Sequence, residues 1–356
     1  MSFIVPGAWS RRSVPEAMFQ SLKRFLRDSL GAAPRDDLTA LKKTVQRNEQ
    51  RIVEEMAHSS RQLAKRLDRI EQRIADLVDR AEGLDAMART GRLRKIDDNI
   101  DALVRHTFLN GALTGTQALL ARRFRGLSQH EEDGITVALF DRIGAATHRF
   151  VEIGAGVNGG NSGFLARECG WTGLMIEAHP ERAATLQRRF APAVSVVSSM
   201  VTRENVNALV ETHGYGGDVD LLSIDIDGMD YWVWDNLTAC RPRLVIVEYN
   251  PFLGPHRSVA IPYDPQFDRH RFAVPRDAYY GASLPAFAKL GASKGYRLVL
   301  VEPRGVNAFF VRDDVAGDLA AMPVDGATIA PDAVADFGPG GIFTHLEHAG
   351  LGLIDV

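Results

Sequence analysis

Three clusters in the sequence hold residue types that can do chemistry. The first is Glu152-Ile153-Gly154-Ala155-Gly156-Val157-Asn158-Gly159-Gly160-Asn161-Ser162. Gly154, Gly156 and Gly159 satisfy GxGxxG, the pattern of a turn that lets a ligand approach backbone N–H groups before a helix. Glu152 precedes the first glycine by two residues, where a pyrophosphate would meet a carboxylate at close range. That position suits a cationic group, such as the amino group of S-adenosylmethionine (SAM), better than a dinucleotide. The second is Glu177, which ends the run Met175-Ile176-Glu177-Ala178. An acid at the end of a second parallel strand accepts ribose hydroxyls, and it serves NAD and SAM equally. The third is Ser223-Ile224-Asp225-Ile226-Asp227-Gly228-Met229-Asp230, followed by Glu248 and Asn250. Asp225, Glu248 and Asn250 are hard oxygen ligands at strand ends, a set that fits Mg²⁺ or Mn²⁺. Without a metal, Asp225, Asp227 or His256 would handle the acceptor's proton.

The elements that must position these residues follow from hydropathy. Arg149–Ile153, Gly173–Ile176, Val194–Val197, Val219–Ile224 and Leu244–Val247 are short apolar runs separated by helical stretches. Near-continuous apolar strands alternating with helices predict an α/β fold with a parallel sheet covered on both faces. Such sheets bind ligands beyond the carboxyl ends of their strands, which is where Glu177, Asp225 and Glu248 fall. A loop over about 251–283 follows, then a helix over 284–294 and two last strands over 297–301 and 308–311. The loop carries Tyr263, His256, Arg257, His270, Arg271 and Tyr279, a set suited to hydrogen-bonding a polyol. Trp232 and Trp234 are read as packing residues.

Upstream the pattern is different. Residues 1–35 hold a short amphipathic helix, with Val14, Met18, Leu22, Phe25 and Leu30 on one side. Residues 36–127 are helical. Within them Leu63, Leu67, Ile70, Ile74, Leu77, Ala81 and Leu84 alternate steps of four and three, a coiled-coil seam that predicts a homo-oligomer. A further helix is predicted over 93–124. The region up to Gly126 has 24 Lys and Arg against 16 Asp and Glu, while the remainder has 18 against 29. With acids interspersed among its bases, the first region reads as a solvated helical face, and no nucleic-acid partner is expected.

Composition narrows the rest. The chain has 356 residues, 45% of them hydrophobic and 24% charged, which excludes wholesale disorder. Its 2 cysteines, Cys169 and Cys240, exclude a disulfide framework and suit the cytoplasm. No apolar run is long enough for a transmembrane helix, and the start of the chain lacks the features of a signal peptide. The 10 histidines form no HxH or HxxxH pair, so a zinc site is not expected. Residues 314–356, poor in charge and containing Gly338-Pro339-Gly340-Gly341, are expected to be partly ordered or to pack on a neighbour.

The clusters also occur in a familiar order. Ser128-Gln129 with Glu132-Asp133-Gly134, Phe150-Val151-Glu152-Ile153-Gly154-Ala155-Gly156, Gly170 to Glu177, Ser223 to Trp232, and Val247-Glu248-Tyr249-Asn250 together resemble FkbM-type SAM-dependent methyltransferases. Tyr279 to Leu284 and Gly305 to Val311 are similar to the end of the same domain. The resemblance covers about 128–313. It implies a seven-stranded, Rossmann-like class I methyltransferase sheet whose last strand is antiparallel. By it, Glu152, Gly154 and Gly156 hold the methionine part of SAM, Glu177 holds the ribose, Asp225 lies beside the sulfur, and Ala155, Asn158, Asn161, Ser162 and Ala178 complete the expected cofactor-binding set. Two features depart from the family pattern: a longer glycine loop with Asn158 where an acid is frequent, and the N-terminal helices. The expected activity is O-methylation of a hydroxyl on a small molecule or glycan, a sugar above all. The alternatives are an NAD-dependent oxidoreductase and a non-catalytic coiled-coil scaffold with a vestigial fold.

Overall fold

The structure, a computed structural model, describes residues 113–326, 337 and 341–356, with scattered positions over 39–62 and 99–103. The chain divides into two units, Met1–Arg89 and Thr90–Val356. In the first, the described positions over 39–62 are helical, with Arg51 and Glu55 paired one turn apart. The seam from Leu63 to Leu84 and the helix of residues 13–31 lie outside the described residues.

The second unit is built on seven strands. In chain order they are β1 (Arg149–Ile153), β2 (Thr172–Glu177), β3 (Val194–Ser198), β4 (Gly217–Ile224), β5 (Cys240–Glu248), β7 (Tyr296–Val301) and β8 (Asn307–Arg312), with a two-residue β6 (Val259–Ala260) standing apart. The sheet order is β3-β2-β1-β4-β5-β8-β7. β1 to β5 pair in parallel, and β8 runs antiparallel to both β5 and β7. This is the seven-stranded Rossmann-like sheet with one reversed strand that the family resemblance implies.

Strand alternation sorts the side chains onto two faces. Val151, Ile153, Leu174, Ile176, Leu222, Ile224, Val245 and Val247 point one way. They pack under α5 (Val206–Thr212), α6 (Asp230–Asn236) and α7 (Leu284–Ser293). Phe150, Met175, Leu221, Leu244, Ile246 and Phe309 point the other way. They meet α2 (Glu132–Ile143), α3 (Gly163–Glu168) and α4 (Pro180–Phe190). α4 begins on a proline, has Glu181 in its first turn and ends on Arg188 and Arg189, so its caps and charges agree with the helix dipole. Trp234 is packed among Phe287, Tyr296 and Phe310, and the Trp232 indole N–H donates to Ile261 O at 2.9 Å.

Both ends of the unit reach further than the apolar pattern indicates. A helix, α1 (Gly115–Ala121), precedes α2, and Leu113 and Thr114 ahead of it are not helical, so a single helix over 93–124 does not form. The Asp133 carboxylate accepts the N–H groups of Gly126, Leu127 and Ser128 at 2.8, 2.6 and 2.9 Å, folding that stretch onto α2. At the other end, α8 (Gly341–His348) buries Ile342 and Leu346 with Leu253, Val259 and Tyr279. β9 (Ile354–Asp355) then pairs antiparallel with β6. The described part of the tail therefore packs on its own domain and supports the loop after β5. Two buried residues one helical turn apart and one strand edge hold it there. Among the described residues no helix is long and apolar enough to cross a membrane.

Candidate active site

The carboxyl ends of β1, β2, β4 and β5 form one crevice, and alternation places its acids on a single face. Glu152 stands opposite Met175 on one side and Ser223 on the other, on the face that carries α2, α3 and α4. Its carboxyl is fully buried. Oε1 accepts the Asn161 N–H at 3.2 Å, and Oε2 has no partner. Burial pushes this acid up to about 7, opposed by the nearby Ser162 and Ser223 hydroxyls and the Asn161 N–H. Gly160 (φ +56°) exists to leave it room: a Cβ there would lie 2.0 Å from Glu152 Oε1.

The glycine turn spends its donors on the protein. Gly154 and Ala155 donate their N–H groups to Ile176 O at 2.9 and 3.2 Å, and Gly156 donates to Glu177 Oε2 at 2.9 Å. A pyrophosphate needs such groups free. Here they are engaged, and the Glu152 carboxylate already occupies the Asn161 N–H. The geometry thus opposes the dinucleotide reading. Glu177 is buried, its Oε1 taking the His179 N–H at 2.9 Å. Each oxygen retains a second lone pair for a ligand. Asn158, Asn161 and Ser162 have building roles: Asn158 Nδ2 donates to Leu127 O at 2.6 Å, Asn161 Nδ2 to Ser223 Oγ at 3.1 Å, and Ser162 Oγ to Gly159 O at 3.3 Å. Ala178 is half-buried just past Glu177.

The β4 and β5 ends carry the second group of acids. The ladder ends at Ile224↔Val247, so Asp225 and Glu248 emerge side by side. Burial, then the charges of Asp230, Asp227 and Glu152, hold Asp225 well above the usual carboxylate range. Glu248 is raised by burial and by Asp225 and Asp230. Asp230 closes the intervening loop, accepting Ile226 N–H at 2.9 Å and Gly228 N–H at 3.0 Å, and burial pushes it up to about 7. Asp227 is exposed, adopts φ +57° and pairs with the Arg269 guanidinium.

Two expectations for this group are corrected. Asn250 is not a ligand: its Nδ2 donates to Ala278 O at 2.9 Å and Tyr280 O at 2.8 Å, and its Oδ1 accepts Phe252 N–H at 3.0 Å. With the carboxamide consumed in shaping the loop, the set Asp225, Glu248 and Asn250 for Mg²⁺ or Mn²⁺ does not assemble. Among the described residues no group of three or more His, Cys, Asp or Glu is placed to hold a metal ion. His256 is exposed on the approach to β6, and no described contact joins it to these acids. The polyol set is also dispersed. Tyr263 donates to Glu204, Tyr279 to Gly352 O at 2.9 Å, His270 pairs with Asp277 at 3.1 Å and Arg257 with Asp355 at 3.5 Å.

The structure adds residues that the sequence did not single out. Arg269 crosses the crevice mouth from Asp227 to the Tyr280 ring, 4.2 Å from its centroid, with Nε on Asp277 O at 3.2 Å. Within the run Asp268-Arg269-His270-Arg271 nothing marks it out from its neighbours. Asn307 faces Glu248 across the β5–β8 pair, and its Nδ2 donates to Glu132 Oε1 at 3.0 Å. The antiparallel register of β8 against β5 is the signal that finds it.

No family model matches the chain, and no curated protein matches it. Among solved structures it is similar to the mitomycin 7-O-methyltransferase MmcR, at 20% identity and a TM-score of 0.32, over 51% of this chain and 53% of that one. It is similar to an O-methyltransferase from Bacillus cereus in complex with SAH, at 17% identity and a TM-score of 0.36, over 60% of this chain and 98% of that one. The third is the methyltransferase domain of bacterial CtHen1-C, at 16% identity and a TM-score of 0.34, over 51% and 97% of the two chains. The chain spans about half the length of the mitomycin enzyme.

Proposed function

We propose that this protein is a SAM-dependent O-methyltransferase of the FkbM type, acting in the cytoplasm on a hydroxyl of a sugar or glycosylated small molecule. The observation that carries this reading is Glu152: a buried carboxyl with one unpartnered oxygen, set in a glycine turn where the N–H groups of Gly154, Ala155 and Gly156 are already used. That arrangement suits the ammonium of the methionine part of SAM. Glu177 takes the ribose hydroxyls through its remaining lone pairs. When bound, SAM supplies an electrophilic methyl group. Asp225 lies between Glu152 and Glu248 on the same face, and its ionised form accepts the proton of the acceptor hydroxyl as the oxygen takes the methyl. Arg269 and Asp227 close the mouth above it, and their part is to exclude water and align the acceptor.

Calorimetric titration tests the assignment. SAM is expected to bind and NAD not to bind. Glu177→Ala should weaken SAM binding by about 1–3 kcal/mol, the loss of hydrogen bonds to a charged acceptor. NAD saturating the site, or an unchanged SAM affinity in Glu177→Ala, refutes the reading.

The N-terminal helices are proposed to make a homo-oligomer through the seam from Leu63 to Leu84. Because residues 115–127 are part of the folded unit, the informative deletion ends before them. A chain lacking 1–112 should form a smaller assembly by light scattering and still bind SAM. A monomeric intact chain defeats the coiled-coil proposal.

A further inference from the structure

Glu248 is the most anomalous side chain in the crevice. It is 8% exposed, its Oε2 is wholly buried without a partner, and its carboxyl accepts no hydrogen bond from any described residue. Arg269 lies near enough to influence it, yet the guanidinium is committed to Asp227 and the Tyr280 ring. Directly across the β5–β8 ladder stands Asn307, 1% exposed. Its Nδ2 is fixed on Glu132, which sets the amide orientation and leaves Oδ1 as the free end. Asn307 Oδ1 is also buried and without a partner. Two buried acceptors, on facing residues of paired strands, therefore lack donors. Leaving such groups unmade costs roughly 1–3 kcal/mol each, so the pair is a feature that calls for a ligand.

The chemistry of that ligand follows from counting donors. A hydroxyl has one hydrogen to give and would satisfy only one of the two acceptors. A primary ammonium has three, and a cation beside Glu248 would favour the ionised form of carboxyls that burial and mutual repulsion now hold above their usual range. SAM's own ammonium does not fill this place. Glu152 lies two strands from Glu248, and at the usual strand spacing that is roughly 10 Å.

We propose that Glu248 and Asn307 form a subsite for a primary ammonium on the methyl acceptor, so that the acceptor is an amino alcohol, such as an amino sugar, methylated on a hydroxyl near its amine. The proposal rests on the methyltransferase reading of the crevice, and the test separates the two. Ethanolamine and ethylene glycol, small probes that differ only in the ammonium, are titrated in EDTA into intact protein carrying saturating SAH. Ethanolamine should bind at least tenfold more tightly than the glycol and shift the Asn307 side-chain amide resonance. Glu248→Gln, which keeps shape and removes charge, should lower that affinity at least tenfold while SAH binding is unchanged. Equal binding of the two probes assigns the subsite to a neutral hydroxyl and overturns the proposal. Binding of neither, with the Asn307 resonance unmoved in the wild-type protein, assigns it to an ordered water and overturns it as well. Failure of SAH to bind at all counts against the methyltransferase reading instead, and ethanolamine without SAH then still reports on Glu248 and Asn307.

Discussion

Asp220→Ala is expected to lose about 3–5 kcal/mol of folding stability, although the residue lies at the opposite end of the sheet from the crevice. Asp220 is fully buried midway along β4, level with the start of β1. It accepts the N–H groups of Ala146, Thr147 and His148 at 2.8, 2.6 and 2.6 Å, and the Thr147 hydroxyl at 2.9 Å. These bonds tie the turn before β1 to the strand beside it. Alanine leaves three N–H groups facing a void, and asparagine restores some of the acceptors without the charge. The backbone and Thr147 bonds hold the Asp220 carboxyl below the usual carboxylate range in spite of its burial. A carboxyl with a depressed folded pKa stabilises the fold above its unfolded value, and the contribution is lost as pH falls through the folded value. The gap between wild type and Asp220→Ala in urea unfolding should therefore be full at neutral pH and shrink in acid. A gap that stays constant into acid would show that the charge is not the agent.

Gly154→Ala should cost about 3 kcal/mol or more and abolish SAM binding. At Gly154 φ is +88°, and a Cβ would lie 1.8 Å from the carbonyl oxygen of Asp225. Both partners are backbone, and the Asp225 N–H is bonded to Ile153 O at 2.9 Å, so neither end can swing away. The methyl would wedge β1 and β4 apart where the crevice opens. Gly170 is the natural control: it has φ +71°, and nothing lies within 4 Å of its Cβ position. Gly170→Ala then reports backbone strain alone, about 1–2 kcal/mol, and should leave SAM binding intact. Thermal unfolding of the two variants, each paired with calorimetry, decides the matter. Equal losses at both sites would mean that the β1–β4 contact is not what Gly154 protects.

The legible parts of this protein are those that hydropathy alone dictates. Apolar runs ending at Ile153, Glu177, Ile224 and Glu248 mark strand ends, and a parallel sheet leaves its functional groups there. The acids of the crevice could thus be named without coordinates. The loop after β5 could not be read in the same way, because its shape is set by tertiary contacts. A carboxamide such as that of Asn250 serves equally as a ligand or as a staple between loop carbonyls, and only the positions of Ala278 and Tyr280 decide between them. Arg269 is one cation among several until Asp227 and Tyr280 are placed around it. Asn307 gains meaning only when β8 is set against β5.

The placement of β8 also bears on how the chain acquires its shape. β5 is complete by residue 248, yet the strand that covers its outer edge begins at residue 307. During synthesis the sheet therefore waits, with the hydrogen-bonding edge of an apolar strand uncovered, while the loop and α7 are made. Exposed edges of this kind are where growing chains stick to one another. Fragments that stop before β8 are accordingly the ones expected to aggregate. The Glu248–Asn307 pair is also the last part of the crevice to exist: a nascent chain can shape the pocket around Glu152 and Glu177 well before it can present a finished place for an acceptor.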